Sequence, residues 1–463
     1  MKKNLNILLV GLAVLSMSSC KSLYGKYERP DVKTAGLVRD SASLTDTLVV
    51  TDTTSFANIP WRSVFTDPQL QSLIEKGLAN NPDLLNAALN VKMAEDQLKV
   101  AKLAFVPALS FTPQGTIALW DGNKATQTYS LPVTASWSLD LFGNLLSVKR
   151  GAQMSLLQMK DYQVTVKTNL IANIANLYYT LLMLDKQLEL VSDMETLTKD
   201  TWETMKVLID SRGYRSVSVQ AAESNYYSVL TKKADLKRQI RETENTLSLL
   251  LGEQAQTIAR GKIEAQSLPT SFSTGVGVQL LNNRADVHAA EMALAQCFYG
   301  VETARSRFYP SITISGTGAF TNSSGAGIVN PGKWLLSAVG SLVQPLFQNG
   351  RLIAGLRVAK AQYEQAYNTW QNAVLKAGSE VSNALVLYNS SEEKSQIEAK
   401  QIEVLQKNVE QTRELVGDAG SNYLDIITAQ SSLLNVQLSK VADDFNKMQA
   451  VVNLYYALGG GAK

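Results

Sequence analysis

Apolar residues recur at Leu170, Ile174, Leu177, Leu181, Leu184, Leu188 and Val191, in steps that alternate four and three. This 3.5-residue period is that of a coiled-coil seam. Nothing interrupts it: no proline lies between Val133 and Leu268, and after Val148 the only glycine before Gly213 is Gly151. The pattern predicts one helix of about 60 residues, roughly 90 Å long at about 1.5 Å per residue. A second rod follows Val374, Ala377, Val381, Ala384 and Tyr388, later Ile402, Leu405, Val409 and Val416. Each rod breaks at a glycine, in Arg212-Gly213-Tyr214 or Ala419-Gly420-Ser421, and a return helix follows. The second return carries the alternation through Leu424, Ile427, Ser431, Leu434, Leu438, Val441, Phe445, Met448, Val452 and Tyr455.

A different period precedes each rod. Leu131, Val133, Ala135, Trp137, Leu139 and Leu141 alternate with Pro132, Thr134, Ser136, Ser138 and Asp140, and Ile312 and Ile314 alternate with Ser311, Thr313 and Ser315. Period two with one apolar face predicts strands. Turns at Asp121-Gly122-Asn123 and Ser324-Gly325-Ala326-Gly327 split each stretch into a pair. The order is itself repeated. Asn80-Asn81-Pro82-Asp83, an alanine-rich helix and Phe105-Val106-Pro107 return some 203 residues later as Asn283-Arg284-Ala285-Asp286, a helix and Phe308-Tyr309-Pro310. The fold class expected is therefore mainly α with a β-barrel portion, built as a doubled unit of helix, β-hairpin and long coiled-coil helical hairpin. Four strands per chain cannot close a barrel, which takes about eight or more. Copies must associate: two give eight strands, three twelve, four sixteen.

The start of the chain has the form of a secretory signal: Lys2 and Lys3, an apolar run from Leu5 to Leu15, then Ser16-Met17-Ser18-Ser19 before Cys20. A cysteine in that place resembles a bacterial lipobox and makes Cys20 the lipidated first residue, with Met17 where leucine is usual. The expected division is a signal peptide over 1–19, a lipidated polar tether over 20–60, and repeats over 61–265 and 266–463. Strands are expected near 108–120 and 128–142, and near 311–321 and 333–347. The formal charge of +3 becomes about +1 without the two signal lysines, and no basic patch suggests nucleic acid.

No catalytic constellation emerges. His288 is the only histidine, Cys297 has no partner cysteine, and no phosphate-cradling loop is present, so neither an enzyme nor a cofactor is expected. The tyrosine pairs 178–179, 226–227 and 455–456 are read as packing. The adjacent acids Glu392-Glu393 and Asp443-Asp444 are read as solvated faces.

The doubled order, with Trp61, Phe65 and Asp67-Pro68-Gln69-Leu70 leading into the first helix, resembles the TolC family of outer-membrane efflux channels. It is most similar to the lipoprotein branch serving drug-efflux pumps of the resistance-nodulation-division (RND) type. The resemblance implies a homotrimer with a shared twelve-strand barrel in outer-membrane lipid and a helical tunnel through the periplasm. It implies partners too: a periplasmic adaptor (membrane fusion) protein and an inner-membrane RND pump that supplies the energy. The helix turns, Gly213 to Val219 and Gly420 to Ile426, become the gate and docking tip, with Gly213, Tyr214, Arg215, Ser216, Gly420, Ser421, Asn422 and Asp425 as its residues. Three symmetry-related Asp425 carboxylates around a narrow pore would repel one another and favour cations. Asp425 equally suits a helix N-terminus, where it favours the dipole. Thr428 stands where some members have a second acid, and Asn422 replaces a basic latch residue. Two other readings stand beside this one. A duct for type I protein secretion fits less well with the lipobox and the Trp61 region. A structural coiled-coil envelope lipoprotein has no need of strands.

Overall fold

The computed structural model describes residues 25–31, 37, 56–119, 121–122, 125–212, 216–269, 283–323, 328–414 and 423–462. A one-turn helix at Trp61–Val64 precedes α1 (Pro68–Asn80) and α2 (Pro82–Leu103). Then come β1 (Ala108–Phe111), β2 (Gln114–Ala118), β3 (Thr126–Leu139), α3 (Asn144–Arg212) and α4 (Ser216–Leu250). The second half gives α5 (Ala285–Ser306), β4 (Ser311–Ser323), β5 (Ile328–Val343), α6 (Arg351–Glu414) and α7 (Tyr423–Ala457). The rods α3 and α6 run for 69 and 64 residues.

The chain separates into two compact units. One gathers 1–32, 88–161 and 288–372 and holds the sheet; the other gathers 33–87, 162–287 and 373–463. In the sheet unit, β1 and β2 both pair antiparallel with β3, β3 with β4, and β4 with β5. Ala108↔Ser136 and Gln114↔Ser130 share one register, so β1 and β2 are two halves of a single strand. The gap falls at Thr112-Pro113, opposite Pro132, where neither proline has an N–H for the ladder. The sheet thus has four antiparallel strands. The β3–β4 pairing joins the two repeats within the chain.

The helical unit buries the seam read from sequence. Leu170, Ile174, Leu181, Leu184 and Val191 are nearly or fully enclosed, as are Val374, Ala377, Val381 and Ala384 on the second rod. The main core brings Phe65, Leu70 and Ile74 against Ile171, Tyr178, Leu247, Val381, Val452 and Tyr455. Helix starts are fixed by side chains. Asp67 Oδ1 accepts from the Gln69 N–H at 2.8 Å with Pro68 in the first position, and Asn81 Oδ1 accepts from the Leu84 N–H at 3.0 Å. The Asp140 carboxylate, on the sheet side, takes the N–H groups of Leu145 and Leu146 at 3.0 and 2.7 Å as α3 begins.

Both return helices end on a glycine with positive φ, Gly252 (φ 69) and Gly459 (φ 92). Each abuts the backbone just ahead of a 22-residue helix, α2 in one repeat and α5 in the other. A Cβ would lie 2.7 Å from the Asn80 carbonyl oxygen in one case and 2.5 Å from that of Asn283 in the other. The neighbouring side chain then closes the helix end: Asn81 Nδ2 donates to the Leu250 carbonyl at 3.0 Å, and Arg284 to that of Ala457 at 3.1 Å. The repeat is preserved down to this contact, although the residue types differ.

Two readings are corrected. Leu424 is 60 % exposed, while Ile426, Ala429 and Leu433 are buried. Near its start α7 packs on Met205 and Ala222 of the first hairpin as well as on Val409 of its own rod, which moves the buried stripe. Asp443 and Asp444 are not a solvated pair. Asp443 is buried and bound to Lys394 at 2.9 Å, Asp444 meets Ser395 Oγ at 2.6 Å, and Glu392 meets Lys447 at 2.6 Å. These contacts tie α6 to α7.

Candidate functional site

The registers sort the sheet into two chemically different faces. One face carries the rows Phe111–Val133–Gly318–Leu336, Leu109–Ala135–Gly316–Ala338 and Leu139–Ile312–Leu342, with Leu131–Phe320–Trp334 beyond them. The other carries Ser110–Thr134–Thr317–Ser337 and Ser138–Thr313–Ser341. Thr134 and Thr317 hydroxyls bond across strands at 3.0 Å. The apolar face is open: Trp334 is 84 % and Leu336 88 % exposed. Alternation of a bare apolar face with a hydroxyl face is the pattern of strands between lipid and an aqueous lumen. Among the described residues the outer edges of β1, β2 and β5 have no strand partner, and the 16-residue β5 is too long to be left as a bare edge in lipid. No described helix is long and apolar enough to cross a membrane.

The helical hairpins are held by polar contacts that no sequence period reveals. Arg260 binds Asp185 at 2.5 and 2.9 Å and Glu244 at 2.6 Å, and those carboxylates hold its guanidinium well above the ordinary range. Asp67 accepts from Tyr178 Oη at 2.6 Å and Gln266 Nε2 at 2.7 Å. Burial alone would raise that carboxyl, but these bonds outweigh it and bring it below the usual carboxylate range. Arg284 is buried and paired with Asp286 and Glu380, each at 2.6 Å. Of the tyrosine pairs, Tyr178, Tyr179 and Tyr455 are core residues, and Tyr455 Oη donates to the Ile59 carbonyl at 2.6 Å, whereas Tyr227 is exposed.

His288 and Cys297 lie in the sheet unit. His288 Nδ1 meets Asp161 Oδ2 at 2.6 Å, and that bond raises the imidazole above its ordinary value against the opposing effect of burial. Cys297 is half-buried, with its thiol pushed up by burial. One turn from His288, Glu291 receives Arg29 in a two-pronged pair at 2.8 and 2.6 Å, and Arg150 donates to the Gly25 carbonyl at 3.1 Å. The described part of the stretch expected as a free tether is thus docked on α5, and at its other end Phe56 is buried against Tyr455. Only the structure brings these groups together, since hundreds of residues separate Arg29 from Glu291.

Cys20, expected to carry the lipid, and Gly213, Tyr214, Arg215, Gly420, Ser421 and Asn422, expected at the tips, lie outside the described residues. Ser216 begins α4, and Asp425 is exposed in the first turn of α7. Beside it, Ile426 seals against Met205 and Ala222, with Trp202, Val219 and Ile427 around them. Trp202 stacks on Tyr226 at 5.7 Å, and Gln430 Nε2 donates to Thr201 Oγ1 at 2.9 Å. Asp425 is therefore carried by a packed helix start and leaves its carboxylate free of the core. Sequence alone gave no signal for this Met205–Ile426 seal.

An amphipathic four-stranded sheet joined twice to long helical hairpins marks an outer-membrane channel protein, and the chain belongs to the family described as Outer membrane efflux protein, matched over residues 73–253 and 276–460. It is a transport protein rather than an enzyme. It is 25% identical over 457 residues to the Cation efflux system protein CusC of Escherichia coli strain K12, covering 96% of this chain and 97% of that one. It is 24% identical over 455 residues to the Probable outer membrane lipoprotein SilC of Salmonella typhimurium, covering 97% of each. The open-state structure of the Neisseria gonorrhoeae MtrE outer membrane channel superposes with a TM-score of 0.83 at 22% identity, over 95% of this chain and 98% of that one.

Proposed function

We propose that this outer-membrane efflux channel is the passive exit duct of a tripartite RND-type system, releasing small molecules from the periplasm or inner membrane to the outside. The observation that carries the reading is the sheet: four strands with one lipid-suited face and two open edges, continuous with helical rods of 69 and 64 residues. Head-to-tail pairing of β5 with the β1–β2 edge of the next copy closes a ring without leaving an edge. Three copies give twelve strands, and the hairpins then extend into the periplasm as a tunnel wall. The tips, around 213–219 and 420–426, dock a periplasmic adaptor and form the gate, with Asp425 at its mouth. Cys20 carries the lipid anchor, a reading supported by the lipoprotein name of the Salmonella relative. Small cations are one cargo class in keeping with the name of the Escherichia relative. A Ser/Thr-lined lumen holds no strong chemical preference, so selection belongs to the pump.

The test is affinity capture of the tagged protein from gently crosslinked envelopes, read by mass spectrometry. Recovery of a periplasmic adaptor with an RND pump is expected. Recovery of an ABC exporter in their place would move the assignment to protein secretion, and peptidoglycan-linked proteins alone would favour a structural spacer.

A further inference from the structure

Antiparallel pairing puts all four helix–strand junctions at one end of the sheet: α2 into β1, β3 into α3, α5 into β4, and β5 into α6. Each junction combines aromatic rings with a cation. The first has Phe105 three residues after Lys102; the second Phe142 before Lys149; the third Arg307 before Phe308 and Tyr309; the fourth Phe347 before Arg351. The rings sit at the lip of the sheet. Phe142 stacks on Tyr309 at 5.2 Å, Lys149 lies 5.8 Å from the centre of the Phe105 ring, and Phe347 is 83 % exposed beside a Leu346 that is 93 % exposed. Lys102, Arg307 and Arg351 are exposed.

The carboxylates at these junctions are already engaged. Asp140 caps α3 with both oxygens, and Glu302 is buried against Arg305 at 2.7 Å. Among the described residues, Lys102, Lys149, Arg307 and Arg351 have no carboxylate partner. The opposite end differs: its connections, 119–125 and 324–327, hold one acid, Asp121, and one base, Lys124, for no net charge. Aromatic rings followed immediately by unneutralised cations is the arrangement that meets lipid headgroups, rings at the ester level and cations at the phosphates.

We propose that the four junctions form a headgroup collar that binds anionic phospholipid of the leaflet on the helical side, with Lys102, Lys149, Arg307 and Arg351 on the phosphates. The collar rests on the barrel reading above, because it needs the apolar face of the sheet to meet lipid.

Native mass spectrometry of the detergent-released full-length protein tests it, with equimolar phosphatidylglycerol and phosphatidylethanolamine of the same acyl chains offered in competition. Wild type is expected to retain phosphatidylglycerol in excess, on the order of tenfold, and K102Q/R307Q/R351Q to fall within about twofold of parity. The single variants R307Q and R351Q should each lower the ratio, which keeps the test intact if the triple variant fails to assemble. Equal retention by wild type, or an excess that none of the variants lowers, would overturn the collar. The same spectra report copy number, so loss of the oligomer, which would count against the barrel, is read separately from loss of lipid selectivity.

Discussion

The two glycines that end the return helices offer the sharpest test of how the repeats are joined. Gly252 and Gly459 combine a left-handed backbone with a carbonyl oxygen 2.7 and 2.5 Å from where a Cβ would stand. Alanine there carries about 1–2 kcal/mol of backbone strain. The opposing atom is backbone, so relief requires the chain at Asn80, the end of α1, or at Asn283 to back away. That movement stretches the bond from Asn81 to Leu250 or from Arg284 to Ala457, and a buried group left unpaired costs about 1–3 kcal/mol more. The expected loss is roughly 2–5 kcal/mol at either site. Two controls separate the contributions. Gly350 has φ 78 but nothing within 4 Å of a built Cβ, so Gly350→Ala should cost the strain alone, about 1–2 kcal/mol. Gly300 sits inside α5 with open space around it, and Gly300→Ala should be neutral or gain up to about 1 kcal/mol. Thermal unfolding of the purified protein by far-ultraviolet circular dichroism, at one scan rate, should rank Gly252→Ala and Gly459→Ala lowest, then Gly350→Ala, then Gly300→Ala with wild type. If Gly252→Ala melts no lower than Gly350→Ala, the close approach does not constrain the junction and the reasoning fails.

Four further outcomes follow from the same structure. Asp425→Ala should raise single-channel conductance in planar bilayers and weaken block by divalent cations; unchanged conductance and block would remove Asp425 from the gate. Leu336→Arg should impair assembly into the outer membrane by about 2–4 kcal/mol near the bilayer middle while Ser337→Arg on the hydroxyl face is tolerated, read by the oligomer recovered from membranes; equal recovery would contradict the assignment of faces. The raised His288 value, produced by Asp161 and to a lesser degree Glu291 against the opposing effects of burial and Arg29, gives stability that is fully present below the unfolded value of about 6.5 and fades as pH rises through the higher folded one. Melting of wild type relative to His288→Gln should therefore improve on acidification, and parallel pH profiles would show that the pair contributes nothing. Cys20→Ser should abolish labelling by a clickable palmitate analogue, and persistent labelling would place the lipid elsewhere.

The parts legible in the sequence are those with a short period. The seam through Leu170 and Val191 and the alternation from Leu131 to Leu141 follow from one buried face per element, so hydrophobicity alone reveals them. The repeat was visible because Asn80-Asn81-Pro82 and Asn283-Arg284-Ala285 both start helices. Contacts between distant segments left no such trace. Arg260 reaching Asp185, Arg29 reaching Glu291 and Lys394 reaching Asp443 depend on how hairpins pack, and a charged residue facing a partner looks in sequence like one facing water. Leu424 shows the same limit within a helix: its stripe moves where α7 gains a second neighbour in Met205 and Ala222. At the candidate tip, sequence placed Asp425 in a helix start, but only packing shows that Ile426 is the residue that fixes it there.

Copy number is the most direct test of the duct. One chain of 50.5 kDa supplies four strands with two open edges, so a sealed barrel needs association. Native mass spectrometry of the detergent-solubilised, membrane-extracted protein should give a single species of three copies, about 150 kDa, stable to dilution. A monomer that keeps its β-structure under the same conditions would contradict the shared barrel, and with it the exit duct.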